Sequence, residues 1–321
     1  MPVRSQTDAI DSLHTTTWEN MQSTIADNIF DATPFFAYLK KKGKLDMKVG
    51  GRQITYPLRY KKSEQTGWIK KGGTVPLTDI DFLTSAFYEW KTLYGSMVQF
   101  REDDQQNAGK AELFDLVQNK IEVTQDSLVD DIETMLFAAT TTDAPDGLQS
   151  LVPDDPTTGT VGGINSATHS WWRSKTKDMT GSSFATNGED EMATMFNNVS
   201  NGRKNERPDI LLSGQTVYEY VESSQNQYKV IQQQDLLEMG FDHILYKKVP
   251  LFYSPACGTR LYFLNTNYMK FVIDKRYNFR MTKWKEIPNQ PEDRAAQILL
   301  TCALATNRRR CLGVMHTIDT P

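Results

Sequence analysis

Through residues 110–139 the side chains Leu113, Leu116, Val117, Ile121, Thr124, Leu128, Ile132 and Leu136 recur every three or four positions, and Phe114, Val129 and Phe137 widen the stripe. That period is one face of an α-helix, about 45 Å long at 1.5 Å per residue, and the stripe needs a surface to pack on. The other faces are acidic. From Glu102 to Glu133 ten Asp/Glu stand against Lys110 and Lys120, a net charge of −8. The preceding block is its opposite: from Lys40 to Lys71 eleven Lys/Arg stand against Asp46 and Glu64, a net charge of +9. If two such blocks do not fold against each other within one subunit, they pair head to tail between subunits, and a heterologous contact of that kind propagates into rings or open arrays. Self-assembly is the first expectation.

The basic block reads as extended chain. Over 49–60 the alternation places Ile54, Tyr56, Leu58 and Tyr60 on one face, and Pro57 confines the strand to a sheet edge or a free hairpin arm. Gly67, Gly72 and Gly73 bracket a turn region around Trp68, and the chain returns through Phe82, Ala86, Tyr88, Trp90 and Leu93 to Phe100. A dozen strand residues span roughly 40 Å, enough to leave the parent subunit. The expected contacts on this loop are Arg52, Arg59, Lys61, Lys62, Trp68, Lys70 and Lys71. Those on the helix are Glu112, Asp115, Glu122, Asp126, Asp130 and Glu133. Charges acting over a Debye length of about 8 Å chiefly guide register and encounter, so the holding energy is expected from apolar area around Trp18, Tyr56, Tyr60 and Trp68. The alternative is a nucleic-acid-binding protein that uses the basic hairpin 40–71, its cations on phosphates and its rings on bases. A merely solvated charge run is the third reading.

Elsewhere the pattern is of short elements. Thr16-x-x-Glu19 caps an amphipathic helix over 17–30, and Thr33-Pro34 opens a second helix ending at Gly43. A loop is expected over 140–165, a helix near Asp190 to Val199, a strand from Asp209 to Leu212 and a helix from Gln215 to Ser223. Strands are expected at Val249 to Tyr253, Arg260 to Leu264 and Met269 to Ile273; a long apolar stretch, Ala295 to Ala305, precedes a last strand through Val314 and Ile318.

Composition and motifs exclude several classes. With 39% hydrophobic and 11% aromatic residues the chain has a core to bury, and a net charge of −4 does not announce a polyanion partner. Cys257, Cys302 and Cys311 form no C-x-x-C pair and read as buried small hydrophobes; His14, His169, His243 and His316 lack metal-ligand spacing. Gly159-Thr160-Val161-Gly162-Gly163 lacks the Lys-Ser/Thr of a phosphate loop and reads as flexible, and Asp103-Asp104, Asp130-Asp131 and Asp154-Asp155 read as solvated pairs. No catalytic, cofactor-binding or metal residue is assigned, and no enzyme is expected. Residues 1–17 have no apolar signal region and no uncharged run reaches the roughly 18 residues that span a bilayer, so a cytosolic protein is expected.

Taken in order, these elements resemble the major capsid proteins of tailed bacteriophages, whose Hong Kong 97-type fold is α+β. The resemblance covers nearly the whole chain and rests on four stretches. They are Thr33-Pro34-Phe35-Phe36-Ala37-Tyr38-Leu39-Lys40, Gly50-Gly51-Arg52-Gln53-Ile54-Thr55-Tyr56-Pro57-Leu58-Arg59-Tyr60, Gly147-Leu148-Gln149-Ser150-Leu151-Val152 and Trp171-Trp172-Arg173. It implies an N-terminal arm over 1–45, an extended β-hairpin loop over 46–100 lying on a neighbour, and a peripheral domain over 101–205 with the long helix as its spine. An axial domain over 206–282 and a peripheral return over 283–321 complete it. The implied function is a structural subunit that forms hexamers and pentamers of an icosahedral head around double-stranded DNA held without sequence specificity. It would be assembled in the host cytoplasm and end in the virion, with no membrane and no cofactor. Separate scaffold, portal and decoration proteins are the implied partners; some members carry a scaffolding extension, and here the arm starts near Met1. Others crosslink a loop Lys to a neighbour's Asn with help from a Glu. Lys61, Lys62, Lys70 and Lys71 are available, but no motif places the other two residues, and no crosslink is expected.

Overall fold

Thr33 in extended conformation and Pro34 at the first helical position start α1 (Pro34–Lys41), whose Phe35, Phe36, Ala37, Tyr38 and Leu39 are all buried. The computed structural model describes residues 33–61, 66–75, 81–102, 110–139, 143–225, 243–290 and 293–318. The expected helix over 17–30, with Trp18, and the basic Lys62 lie outside the described residues.

After α1 come β1 (Leu45–Lys48), β2 (Ile54–Arg59), β3 (Leu83–Tyr88), β4 (Lys91–Gln99) and the long helix α2 (Lys110–Phe137). A helical turn at Leu148–Leu151, the small hairpin β5 (Thr160–Val161) and β6 (Ile164–Asn165), then β7 (Lys175–Asp178) and α3 (Phe184–Ser200) follow. The chain continues through β8 (Ile210–Ser213), α4 (Gln215–Gln225), β9 (Ile244–Tyr246), β10 (Val249–Tyr253), β11 (Leu261–Leu264) and β12 (Met269–Asp274). It finishes with β13 (Arg280–Met281), β14 (Lys285–Glu286), β15 (Arg294–Thr306) and β16 (Gly313–His316).

Two six-stranded sheets result. The first is organised by β15, which pairs antiparallel with β4 from Arg294↔Gln99 to Cys302↔Lys91. On its other side β15 meets β12, β13 and β14, and β12 pairs in parallel with the edge strand β1. The apolar stretch Ala295 to Ala305 is therefore a strand. The second sheet has the order β7-β16-β11-β8-β10-β9. Strand alternation splits its side chains between two cores: Leu211, Leu251, Leu261, Phe263 and Met315 face α3 and α4, while Ile210, Leu212, Phe252, Tyr262, Leu264 and Val314 join the main core. Covered on both faces, β8 and β11 are buried at every position, in keeping with the apolar run of Ile210, Leu211 and Leu212 and that of Leu261 to Leu264.

α2 bridges the sheets. Ile121, Leu128, Ile132 and Leu136 line its buried face. Through its middle it lies against β4, where a Cβ on Gly95 would sit 2.6 Å from Thr124 Cγ2, so only glycine lets helix and strand approach this closely. Lys120 Nζ donates to Val98 O at 3.2 Å and to Gln99 Oε1 at 2.8 Å. At its C-terminal end Phe137 packs on Tyr262, ring centroids 6.2 Å apart, and Gly147 fits against the carbonyls of Met135, Leu136 and Ala138.

Three expectations are corrected. The hairpin strands are six residues each rather than a dozen, about 20 Å long, and they are anchored: Ile54, Leu58, Ala86 and Tyr88 belong to the main core. The expected loop over 140–165 contains the turn at Leu148–Leu151 and the β5–β6 hairpin. The latter is held by Trp172 Nε1 donating to Val161 O at 2.9 Å and Phe87 N donating to Gly162 O at 3.0 Å, so the glycine-rich segment is tied down. The helix expected near Asp190 starts at Phe184, whose ring packs over Gly188 one turn on. It ends where Asn201 takes a left-handed φ of 45°, a common helix stop.

Candidate assembly interface

Beyond the anchored strands the hairpin leaves the body. Between Arg59 and Leu83 the described tip, residues 66–75, is exposed throughout. Gly73 N donates to Lys70 O at 2.9 Å, closing a turn in which Gly72 takes φ +83°, a value that favours glycine. The turn displays Trp68, Ile69, Lys70 and Lys71 together. Trp68 is 106% exposed, against 2% for the core Trp172. An indole of about 150–250 Å² left in water forgoes roughly 4–6 kcal/mol of gross burial energy, which a second surface would recover.

The outer face of the hairpin continues this surface. The cross-strand pairs Thr55↔Phe87, Pro57↔Ser85 and Arg59↔Leu83 stand opposite the buried side, with Phe87 and Leu83 about half exposed and Phe82 beside them. Sequence reasoning missed these three residues. The available signal was a strand whose two faces are both apolar, Leu83 and Phe87 on one and Ala86 and Tyr88 on the other.

On α2, Glu122, Asp126 and Asp130 are exposed at four-residue spacing and form one stripe, with Asp131 and the exposed Val123 beside it. Like charges four apart weaken an isolated helix by a few tenths of a kcal/mol each, a cost to the subunit that a cationic neighbour would reverse. Glu133 points elsewhere: its carboxylate accepts from Ser254 Oγ inside the same chain. Glu112 and Asp115 lie within α2, ahead of the residues whose side chains are described. Of the basic set, Arg52, Arg59, Lys61, Lys70 and Lys71 are exposed.

Two residues expected to hold a neighbour work within the chain. Tyr56 donates to Asp46 Oδ2 at 3.3 Å beneath Lys48, and burial together with Asp46 pushes its hydroxyl well above the usual tyrosine range. Tyr60 packs on Trp171, centroids 5.5 Å apart, and donates to Asp81 O at 2.8 Å. Part of the basic block is likewise tied internally, through Lys44 to Asn267 and Lys48 to Asp46. The charge count over 40–71 therefore overstates what faces outward.

Little in this surface is chemically reactive. The three cysteines are buried, and burial pushes the Cys302 thiol up to about 12. Among the described residues no three His, Cys, Asp or Glu gather as metal ligands, and no helix is long and apolar enough to cross a membrane. What the arrangement offers is a projecting apolar-cationic tip and a separate acidic ridge.

No family model and no curated protein matches the sequence. Solved structures do. The capsid of cyanophage A-1(L) matches with a TM-score of 0.67 over 87% of this chain and 91% of that one, at 14% identity. The capsid of the Myoviridae phage XM1 matches at 0.54 over 87% and 91%, at 11% identity. The holo-SrpI encapsulin complex of Synechococcus elongatus PCC 7942 matches at 0.54 over 87% of each chain, at 9% identity. The likeness lies in the fold, at low sequence identity. The chain has the Hong Kong 97-type fold of tailed-phage capsid structures.

Proposed function

We propose that this protein is the structural shell subunit of a phage-type head, assembling with copies of itself into hexamers and pentamers around double-stranded DNA. The observation that carries the reading is the match of nearly the whole chain to capsid subunits, joined to a tip that exposes Trp68, Ile69, Lys70 and Lys71 in one turn. The tip, with Arg52, Arg59 and Lys61 behind it, reaches a neighbour, and Lys62 is assigned to the same contact by its place in the sequence. The stripe Glu122, Asp126 and Asp130 receives it, and Glu112 and Asp115, earlier in the same helix, are assigned to the same contact by sequence. Glu133 contributes through its bond to Ser254 by fixing the helix rather than by pairing across subunits. In this reading 46–100 is the extended loop, α2 the spine of the peripheral domain, 206–282 the axial domain and 283–321 the peripheral return. The role is non-enzymatic and the destination is the virion, with scaffold, portal and decoration proteins as further partners.

Sedimentation and negative-stain microscopy of the purified protein test it. Capsomers, shells or sheets are expected, and a monomer that persists at all salt and protein concentrations refutes the reading. Lys70→Glu/Lys71→Glu should block assembly while leaving the unfolding midpoint within about 0.5 kcal/mol, because exposed charges contribute little to folding. Normal assembly of that variant would remove the tip from the contact. Retained assembly with lost duplex retention would favour the nucleic-acid reading of the hairpin.

A further inference from the structure

A second basic surface, built from residues far apart in sequence, lies around the segment leading into β8. Lys42 after α1, Arg207, and Lys247 and Lys248 between β9 and β10 rim a cleft of about 230 Å³ floored by Tyr38, Pro208, Asp209, Val249 and Pro250. All four cations are exposed. Among the described lining residues the one acid is turned away: Asp209 accepts from Thr266 N at 2.8 Å and from Thr266 Oγ1, and Tyr38 donates to the Asp209 backbone carbonyl at 2.7 Å. Arg207 is oriented by donating to Lys247 O at 3.2 Å and by its stacking over Phe196, the ring over which the Lys247 ammonium also lies, so the two cations are held side by side.

The lip of the cleft carries backbone strain. Tyr246 pairs with Val249, so Lys247-Lys248 form a two-residue hairpin turn with φ of 49° and 69°. Such turns favour Asn-Gly, because side chains with a Cβ are disfavoured in the left-handed region. Two consecutive lysines there put charge at the cleft at the expense of local conformational preference, a pattern associated with binding sites. The volume holds an oxyanion together with several waters, each of which takes about 30 Å³ in the liquid.

We propose that this cleft is a phosphate-binding site, with Arg207 and the Lys247-Lys248 turn gripping the oxyanion and Lys42 closing the rim. The phosphate comes either as the free ion or as the backbone of a nucleic-acid duplex. The site stands on the cleft alone; only the naming of an enclosed duplex as its source rests on the shell reading, and shell formation is scored separately by microscopy.

Two variants of the full chain test it. Lys247→Gln/Lys248→Gln removes charge, and Lys247→Asn/Lys248→Gly removes charge while restoring the residues the turn favours, so the second should fold at least as stably as the parent. Inorganic phosphate, compared with chloride at equal ionic strength, should raise the unfolding midpoint of the parent and of neither variant. A fluorescent duplex should bind the parent with a slope of log affinity against log salt steeper by about 2 than either variant, at roughly 0.9 per phosphate contact. Loss of both responses assigns the duplex as source, and loss of the phosphate response alone assigns the free ion. Equal responses in parent and variants overturn the site. A change confined to self-association also overturns it, since the cleft would then hold an acidic side chain of a second copy.

Discussion

Replacing Gly95 by alanine should dislodge α2 from β4. The added methyl would lie 2.6 Å from Thr124 Cγ2 and 3.4 and 3.5 Å from the two Leu128 methyls, so one partner must retreat by nearly 1 Å to regain ordinary contact. Neither yields readily. Thr124 Oγ1 donates to Lys120 O at 2.7 Å, which holds its rotamer; Leu128 is fully buried; and Lys120 pins the helix to Val98 and Gln99. Overpacking of this kind costs about 1–3 kcal/mol. Thr124→Ser removes the opposing methyl, keeps the hydroxyl bond and by itself costs about 0.8 kcal/mol for one lost methyl. In the double variant the alanine methyl occupies the space vacated, so its stability should approach that of Thr124→Ser alone. Urea unfolding followed by circular dichroism on unassembled protein gives the cycle, with a coupling of about 1–2 kcal/mol expected against an additivity error of about 0.3–0.5 kcal/mol. Additive single effects, or a neutral Gly95→Ala, would refute the claim that the glycine sets the helix–strand distance.

Two further outcomes follow from buried charge. Glu206, nearly inaccessible, accepts from Arg203 at 3.3 Å and Arg310 at 2.7 Å and forms an ion pair with Arg308 at 3.1 Å; Glu206→Gln should cost about 1.5–3 kcal/mol, the worth of charged hydrogen bonds, discounted toward the lower end because the arginines can rehydrate. A loss under about 0.5 kcal/mol in chemical unfolding would show the cluster to be incidental. The pH profile should contain two opposed carboxyls. Asp154, held low by its paired hydrogen bonds from Arg260, contributes stability that is complete above the unfolded value of about 3.9 and is lost as pH falls through its folded value. Burial raises Asp209, so the folded state takes up its proton first and stability rises as pH falls from its folded value toward about 3.9. Asp154→Asn should remove the acid-side loss and Asp209→Asn the rise above it; unchanged profiles in urea midpoints across pH 3–7 would contradict both assignments.

Elements whose sequence carries a local signature were legible. Pro34 announced α1, alternation at Ile54, Tyr56 and Leu58 announced β2, and three-and-four spacing announced α2 almost to the residue. Ala295 to Ala305 stayed unassigned because a continuous apolar run has no period to separate strand from helix; only the strands on either side of β15 decide it. The Lys247-Lys248 turn escaped notice because it lacks the Asn-Gly that marks such turns. Exposure of the charged tip and ridge followed sequence, but whether Tyr56 and Tyr60 face outward did not. Their partners Asp46 and Trp171 come from other elements, as do Arg308 and Arg310 beside Glu206, the latter 104 residues away.

The position of β15 and β16 has a consequence for synthesis. β15 joins β4 to β12, β13 and β14, and β16 joins β7 to β11, so the first sheet cannot close until the ribosome has passed residue 306, nor the second until residue 316. At about 5–20 residues per second the stretch from β4 to β15 takes roughly 10–40 s to translate, and β4 waits that long for its partner. Such late, long-range pairing slows folding. It also acts as a timer: a chain interrupted before its last strands has neither large sheet complete, so the folded body forms only after β16 has been made.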